Sequence, residues 1–577
     1  MPLLAARWVS PKLDPLFESR ARDLALEAGL PPSIARVLLR RGFDNRSKLE
    51  AFLDPKLDDL LPPAQLKGMA EAIARISLAI SRQEKILLYG DYDVDGTSAL
   101  VILKSLLELL GAKVEAFVPH RLNDGYGMKE DRIRQAANDG IGLIISVDTG
   151  IRAGAVVALA KELGIDSIVT DHHLPESEIP PAIAVLNPNQ PDCSYRNKNL
   201  CGAGVAFKLA QGLLAVSNLP ESRQVRLVES LLKMAALATV ADIVPLEGEN
   251  RTIVKLGLDG MREVRNPGLR ALLDVAGVKA GTAPTARQVG FQIGPRINAA
   301  GRMASAAEVL ELFLTSDVKR AREIASTLDQ LNRERQQTDE QMREEIFRSI
   351  EADATMQSRL GLVLFSADWH LGVAGIVAGR VAERHRKPTF VLAQQEKDGE
   401  LLVKGSGRSI HGFHLLQALE SMGELFEQHG GHEQAAGLSM RLENLEKFQE
   451  RFAAYAAERL DDESRRPVVE IDEVLTVPDV DFALYEQVQR MAPFGYHNQP
   501  PVFALFGLEL AAPPLVMKGK HLKLTVRQAG RMLNLKAWNV GEEWLGLKAG
   551  DRIDAAFQLE HDSYDGWAAI VKDLRRA

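Results

Sequence analysis

Cysteine is almost absent. Cys193 and Cys201 are the only two in 577 residues, too few to staple a chain of this size and without the close pairs of a zinc site, so both are expected as reduced thiols. No signal-like leader is expected either, because MPLLAARWVSPKLDPLFESR meets Arg7, Pro11, Lys12 and Asp14 before an apolar core forms. No apolar run is long enough to span a bilayer. These absences argue against a disulfide-built secreted protein and a membrane-spanning one, and the expected location is the cytoplasm. A positive excess is lacking too: 70 Lys and Arg stand against 78 Asp and Glu, a formal net charge of -8. Phosphate binding needs Lys and Arg, yet net charge averages over surfaces and bound cations cancel carboxylate clusters. Local clusters must therefore decide the partner.

What is present is apolar material for several cores, with 46% hydrophobic and 26% charged residues, the balance of a folded multidomain protein. After an N-terminal region of residues 1–65, short β-rich runs alternate with amphipathic stretches from residue 66 to 305: KILLYGD, KVEAFVPH, GLIISVDTG, DSIVTDHH and AIAVLNPN are separated by helix-like segments. This alternation predicts an open, mostly parallel sheet covered by helices, with function beyond the carboxyl ends of its strands. Residues 306–352 contain no Pro or Gly and are dense in charge, which predicts one long exposed helix serving as a rigid connector. A second α/β unit over 353–462 closes with GSGRS and GGHEQAAG. The remainder, 463–577, shows short alternating strands with turns between them and predicts a small OB-like β-barrel. Trp538, Trp544 and Trp567 lie there and suit either base stacking or strand packing. The predicted class is thus α/β multidomain, ending in a β-barrel.

The chemistry is concentrated at the ends of the strands. ILLY runs into GDYDVDG, which delivers Asp91, Asp93 and Asp95 within five residues. Three carboxylates so close repel one another unless a cation neutralises them. GLIISVDTG ends in Asp148, SIVTDHH ends in Asp171, His172 and His173, and the apolar ATVADIVPL contributes Asp242. Each group sits where an apolar segment stops or is interrupted, so one crevice can gather them all. Mixed carboxylate and imidazole ligands suit manganese; magnesium is less natural beside histidine, and zinc or iron stays open. Two ions sharing a carboxylate would set up phosphoester hydrolysis.

In their order, GDYDVDG, VDTG, TDHH and ATVADIVPL resemble the four successive motifs of the DHH phosphoesterase superfamily. Carried over by position, the resemblance implies Asp93, Asp95, Asp148, His172 and Asp242 as metal ligands, with Asp148 bridging two ions; the ligand chemistry makes these Mn2+, with Mg2+ the alternative. It implies that His173 faces the scissile phosphate as an electrostatic or acid group. In the pyrophosphatase branch a histidine stands where this chain has Tyr89, so that ligand is missing and Asp91 becomes a candidate in its place.

GGHEQAAG matches the signature of the DHH-associated domain, whose glycines let backbone amides approach a phosphate while His432 donates to it. With RGFDN, CGAGVAFK, GPRINAAGRM, GSGRS, PFGYHNQPPVF and the terminal β domain, nearly the whole chain is similar to the branch of single-strand-specific DNA exonucleases acting from the 5′ end. That resemblance implies a 5′-terminal phosphate held between core and associated domain, with Arg121, Arg296, Ser406 and Arg408 as candidates, since an Arg fork suits phosphate oxygens. It also implies roles in recombination and repair beside a helicase and a single-strand-binding protein; monomer is the default expectation. Two readings compete. A phosphodiesterase of very short substrates would not need the terminal barrel or the long connector, and a binding scaffold with a dead core would not keep every motif acid and histidine.

Overall fold

The computed structural model describes residues 6–10, 14–119, 127–397, 400–463, 465–541, 544–562 and 564–577. The chain forms two compact units. The larger is built from Trp8–Gly301, Ser305–Thr327 and Val469–Ala577, and the smaller mainly from Leu328–Val468.

The larger unit is organised by a five-stranded sheet made of Lys85–Tyr89 (β1), Lys113–Phe117 (β2), Ile141–Val147 (β3), Asp166–Thr170 (β4) and Ala184–Leu186 (β5), in the order β2-β1-β3-β4-β5. Every neighbouring pair is parallel. Ile86, Leu87 and Leu88 in β1 and Leu143, Ile144 and Ile145 in β3 are fully buried, the unbroken apolar run expected of a strand covered on both faces. The chain passes from β1 outward to β2 and then returns to the other side of β1, so the carboxyl ends of β1 and β3 flank the point where strand order reverses. Ligands of open parallel sheets bind at such points. Helix α1 (Val94–Leu109) follows β1, and α2 (Gly202–Ala215) and α3 (Glu221–Ala241) pack against it.

A buried polar knot fixes α2. The Lys208 ammonium meets the Glu249 carboxylate at 2.9 Å and also donates to Leu61 O. Glu249 accepts in addition from Tyr195 Oη at 2.8 Å and from Leu61 N at 3.0 Å. An ion pair removed from water holds only when its remaining hydrogen-bonding capacity is filled in this way.

Beyond α4 (Gly294–Met303), the single helix expected over 306–352 is divided. Ala307–Leu314 is one helix, Thr315 turns to extended backbone, and a new helix α5 runs from Val318 to Ala352. The Asp317 carboxylate accepts from Lys319 N at 2.8 Å, capping the second start. Absence of Pro and Gly did not reveal a break made by a capping Asp. Nor is α5 exposed all round: Met342, Ile346 and Ile350, at helical spacing, lie in the smaller unit's core.

That unit contains Leu362–Ser366 (β6), α6 (Leu371–His385), Thr389–Lys397 (β7), Glu400–Arg408 (β8), Gln428–Gly431 (β9) and Ala435–Arg441 (β10). Its sheet runs β9-β10-β8-β7-β6, with β6 and β7 parallel and the other pairs antiparallel.

The terminal strands return to the larger unit. Phe503–Leu510 (β11), His521–Gln528 (β12), Arg531–Ala537 (β13), Arg552–Asp562 (β14) and Gly566–Arg576 (β15) pair as β11–β14–β15–β13–β12, and β12 pairs back to β11. The ring of five strands closes on itself. N-terminal Ile34, Val37 and Leu38 share one core with Phe503, Leu505 and Phe557, so the two ends of the chain fold together. Trp544 and Trp567 pack against this core, whereas Trp538 is 48% exposed. No helix among the described residues is long and apolar enough to cross a membrane.

Replacing Lys208 by Met keeps the volume but leaves the Glu249 carboxylate buried without its cation, which costs about 3–5 kcal/mol. Urea unfolding is expected to show that loss for Lys208→Met and a smaller one for Lys208→Met with Glu249→Gln. An unchanged midpoint in the single variant contradicts the assigned role of the pair.

Candidate metal centre

The turn after β1 is shaped by its own helix. Asp93 caps α1, its carboxylate accepting from Asp95 N at 2.9 Å and Gly96 N at 3.0 Å. A Cβ at Gly96 would stand 2.6 Å from Asp91 O, so only glycine lets the helix begin so close to the strand end. Across the crevice, the amino end of α2 donates Gly202 N to Asp95 Oδ2 at 2.6 Å and Ala203 N to Asp95 Oδ1 at 2.7 Å. A helix amino terminus is a natural cradle for a carboxylate, and here it fixes the plane of Asp95. Asn298 of α4 accepts from Val94 N at 3.1 Å and steadies the same turn.

Asp148 ends β3 with φ 58°, a left-handed conformation uncommon for a residue with a Cβ. Asp242 ends α3, and the next residue, the β-branched Ile243, is also left-handed at φ 57°. Such backbone costs on the order of 1–3 kcal/mol and marks places where the surroundings dictate the geometry. Asp148 is thereby turned into the cluster, and Asp242 reaches it from the last turn of α3, where the chain leaves the helix at Ile243.

The donor atoms form three overlapping sets, each within 4.8 Å: Asp95, His172 and Asp242; Asp91, Asp93 and Asp148; and Asp148, His172 and His173. The first two sets share no residue. They meet where His172 Nε2 lies 3.1 Å from Asp148 Oδ1, with Asp95 Oδ2 at 3.7 Å and Asp242 Oδ2 at 3.8 Å from the same nitrogen. Asp148 Oδ1 is buried and accepts no hydrogen bond. Neighbouring ligands on one divalent ion, each at about 2.1 Å, stand roughly 3 Å apart, so these residues fit a cation. Burial, then the charges of Asp95, Asp93, Asp91 and Asp242, push the Asp148 carboxyl well above its ordinary range. Burial and the charges of Asp95 and Asp93 carry Asp242 to about 9. Asp93 is raised by its low-dielectric surroundings and by Asp95, and burial lowers His172, keeping its imidazole neutral as a ligand requires. All six expected ligands are therefore brought together, Asp91 included. Tyr89 is turned away, its hydroxyl 3.4 Å from Gly127 O.

The cluster is held by Asp171, which the sequence placed in the crevice without assigning it a role, and by Asn187, Asn189 and Gly202, which the sequence did not single out individually. Asp171 Oδ1 accepts from His172 N at 2.7 Å and lies 2.7 Å from His173 Nδ1, while Oδ2 accepts from Ile151 N at 2.9 Å. Burial works against both charged forms, but their pairing prevails, lowering the Asp171 carboxyl and raising the His173 imidazole. Asn187 donates to His173 O at 2.8 Å and Asn189 to His172 O at 2.7 Å, clamping both histidines from the end of β5. Gly202 is obligatory, since its Cβ would stand 2.5 Å from Asp148 Cβ. The available signals were the NPN after β5 and the glycines of CGAGVAFK.

The expected phosphate ligands are placed as follows. Ser406 and Arg408 lie on one face of β8 beneath α6, where a Cβ at Gly375 would stand 2.9 Å from the Arg408 guanidinium and 3.4 Å from Ser406 Cβ. His432 is exposed in the turn before β10, its Nδ1 accepting from Gln434 N at 3.3 Å. Arg296 belongs to α4 and donates to Gln292 O at 2.6 Å. Arg121 lies outside the described residues.

Family models match three segments: the DHH family N-terminal domain at residues 85–239, the DHHA1 domain at 359–458 and the RecJ OB domain at 471–571. The chain is 36% identical over 560 residues to the single-stranded-DNA-specific exonuclease RecJ of Bacillus subtilis, covering 97% of this chain and 69% of the relative. It is 33% identical over 565 residues to the protein of that name from Escherichia coli, covering 94% and 95%. The crystal structure of RecJ from Thermus thermophilus in complex with Mn2+ matches with a TM-score of 0.83 at 31% identity, covering 99% of this chain and 80% of that one. The same protein in complex with Mg2+ matches at 0.78 and 30%, covering 99% and 78%.

Gly202→Ala is expected to displace Asp148 and weaken Mn2+ binding by roughly tenfold or more, as loss of ligand orientation does, while leaving the fold intact. Calorimetric titration checks it, and unchanged affinity contradicts the close packing of Gly202 on Asp148.

Proposed function

Given that the chain belongs to the RecJ family of single-stranded-DNA-specific exonucleases, we propose that it degrades single-stranded DNA from the 5′ end, one nucleotide at a time, with two divalent cations in the cluster around Asp148. The enzyme is a metal-dependent phosphodiesterase whose acid and histidine cluster suits Mn2+ and can also take Mg2+. The observation that carries the two-ion reading is the pair of separate ligand sets that meet between His172 and Asp148.

Asp95, His172 and Asp242 would hold one ion and Asp91 and Asp93 the other, with Asp148 shared. Bound there, the cations supply a nucleophilic water at neutral pH and offset the charge that develops on the phosphoryl group. The protein's own groups do the rest. Asp171 occupies His173 Nδ1, which assigns proton exchange to Nε2, and its charge keeps the ring protonated to higher pH, as suits an acid facing a phosphate oxygen. Ser406 and Arg408 bind the 5′-terminal phosphate, with Arg121, Arg296 and His432 as further phosphate ligands, and this end recognition sets the polarity. The five-stranded ring at the carboxyl end gives a track for longer strands. Recombination and repair in the cytoplasm, as a monomer supplied by a helicase and a single-strand-binding protein, complete the reading.

The test is a time course on 3′-labelled, 5′-phosphorylated single-stranded DNA with Mn2+, Mg2+ or a chelator, beside duplex DNA and RNA. Metal-dependent shortening of the single strand from its 5′ end is expected, and Asp148→Ala should slow it roughly 10³-fold or more, the loss of several kcal/mol of transition-state stabilisation. Asp148→Ala turning over normally, or 3′-first shortening, contradicts the proposal. Asp171→Asn removes the charge that raises His173, so the alkaline limb of the pH–rate profile should move to lower pH. A limb that stays in place removes His173 from the acid role.

A further inference from the structure

Two glycines of the smaller unit have no structural reason to be glycine. Gly405 and Gly407 of β8 are forced by packing, because their Cβ atoms would stand 2.1 Å from Val391 O and 2.4 Å from the Phe390 ring. Gly437 and Gly430, paired across β10 and β9, are different. Neither has a positive φ, a Cβ on Gly430 would meet nothing within 4 Å, and one on Gly437 only Gly405 O at 3.6 Å. Glycine inside a strand weakens it and otherwise marks the close approach of a ligand or another backbone.

These positions form the bare floor of an open depression of about 670 Å³. Cross-strand partners share a face, and the register sets Ser406 beside Gly437 and Gly430, and Lys404 beside Ser439 and Gln428. Lys404 therefore stands two residues along β8 from Ser406 on the same side, about 7 Å away by strand geometry. Helix α6 covers the Arg408 end of this face, while the Lys404 end is open. Lys404 has no ion-pair partner among the described residues, and the carboxylate bordering the depression, Glu427, is held by Arg441 at 2.9 Å. A lysine ammonium without a counter-ion, two side chains able to donate hydrogen bonds and a floor without side chains make a seat for phosphate.

We propose that this depression is a second anion subsite, extending the end pocket of Ser406 and Arg408, and that it takes the β- and γ-phosphates of a strand bearing a 5′-triphosphate. The inference rests on the reading of Ser406 and Arg408 as the terminal-phosphate pocket. In the first turnover water attacks the phosphorus between the first and second nucleotides, and the bond to the 3′ oxygen of the first breaks and that oxygen takes a proton. One deoxynucleoside 5′-triphosphate is released, the shortened strand carries a 5′-monophosphate, and monophosphates follow.

The experiment compares 3′-labelled single strands bearing 5′-hydroxyl, 5′-monophosphate or 5′-triphosphate ends, with product analysis, for the wild type, Lys404→Ala and Arg408→Ala. Expected for the wild type is a kcat/KM on the triphosphate strand within about threefold of the monophosphate value, and one nucleoside triphosphate per strand. Lys404→Ala should lower use of the triphosphate strand tenfold or more and change the monophosphate strand less than twofold. A wild-type enzyme that leaves the triphosphate strand intact, or a Lys404→Ala variant that slows both strands equally, overturns the subsite. Arg408→Ala with unchanged discrimination between hydroxyl and monophosphate ends overturns the end-pocket reading instead.

Discussion

Five aspartate side chains and an imidazole crowded into one crevice are held there against their own repulsion, and most of the larger unit is arranged around that fact. Carboxylates this close, removed from water, either keep their protons or require a cation; the upward displacement of Asp148 and Asp242 is the electrostatic expression of the choice. The protein fixes the donors before any ion arrives. Asp95 lies flat against two N–H groups at the start of α2, Asp93 is locked as a helix cap, Asp148 is aimed by left-handed backbone at the end of β3, and Asp242 caps the end of α3. Pre-set ligands need little reorganisation when a cation enters, which is how a fold converts rigidity into affinity.

Behind the donors stands a layer of neutral amides and paired charges. Asn187 and Asn189 hold the carbonyls of His173 and His172 in the turn after β4, Asn298 holds Val94 N in the turn after β1, and Asp171 holds His173 by its ring nitrogen. These groups divide the labour of an acid cluster: some carboxylates face the cation site, and one is withdrawn from it to tune an imidazole. Asp171 keeps a low carboxyl because its partners are donors, while Asp148, a few ångströms away in the same crevice, is raised because its neighbours are other acids.

The sequence disclosed the cluster because it is written in short segments. Asp91, Asp93 and Asp95 follow one apolar strand, and Asp148 and His172 follow two more, so the topology of a parallel sheet carries them to one edge without knowledge of any long-range contact. The supports were less visible since each is a common residue doing a local job: an Asn clamping a carbonyl, or Gly202 leaving room for Asp148. The break near Thr315 was hidden for a similar reason, since an Asp cap ends and restarts a helix without the Pro or Gly that usually announces it. Least legible was the joining of the chain's two ends. Ile34 and Phe557 share a core across more than five hundred residues of intervening chain, and neither periodicity nor composition records which apolar faces will meet.

The most direct measurement of the central claim is the number and coupling of Mn2+ ions bound per chain, by calorimetry with electron paramagnetic resonance on the same samples. Two ions whose spins are exchange-coupled are expected, because Asp148 stands in the set with Asp91 and Asp93 and also beside His172. A single ion per folded chain, or two that are magnetically independent, would contradict the shared carboxylate on which the account rests.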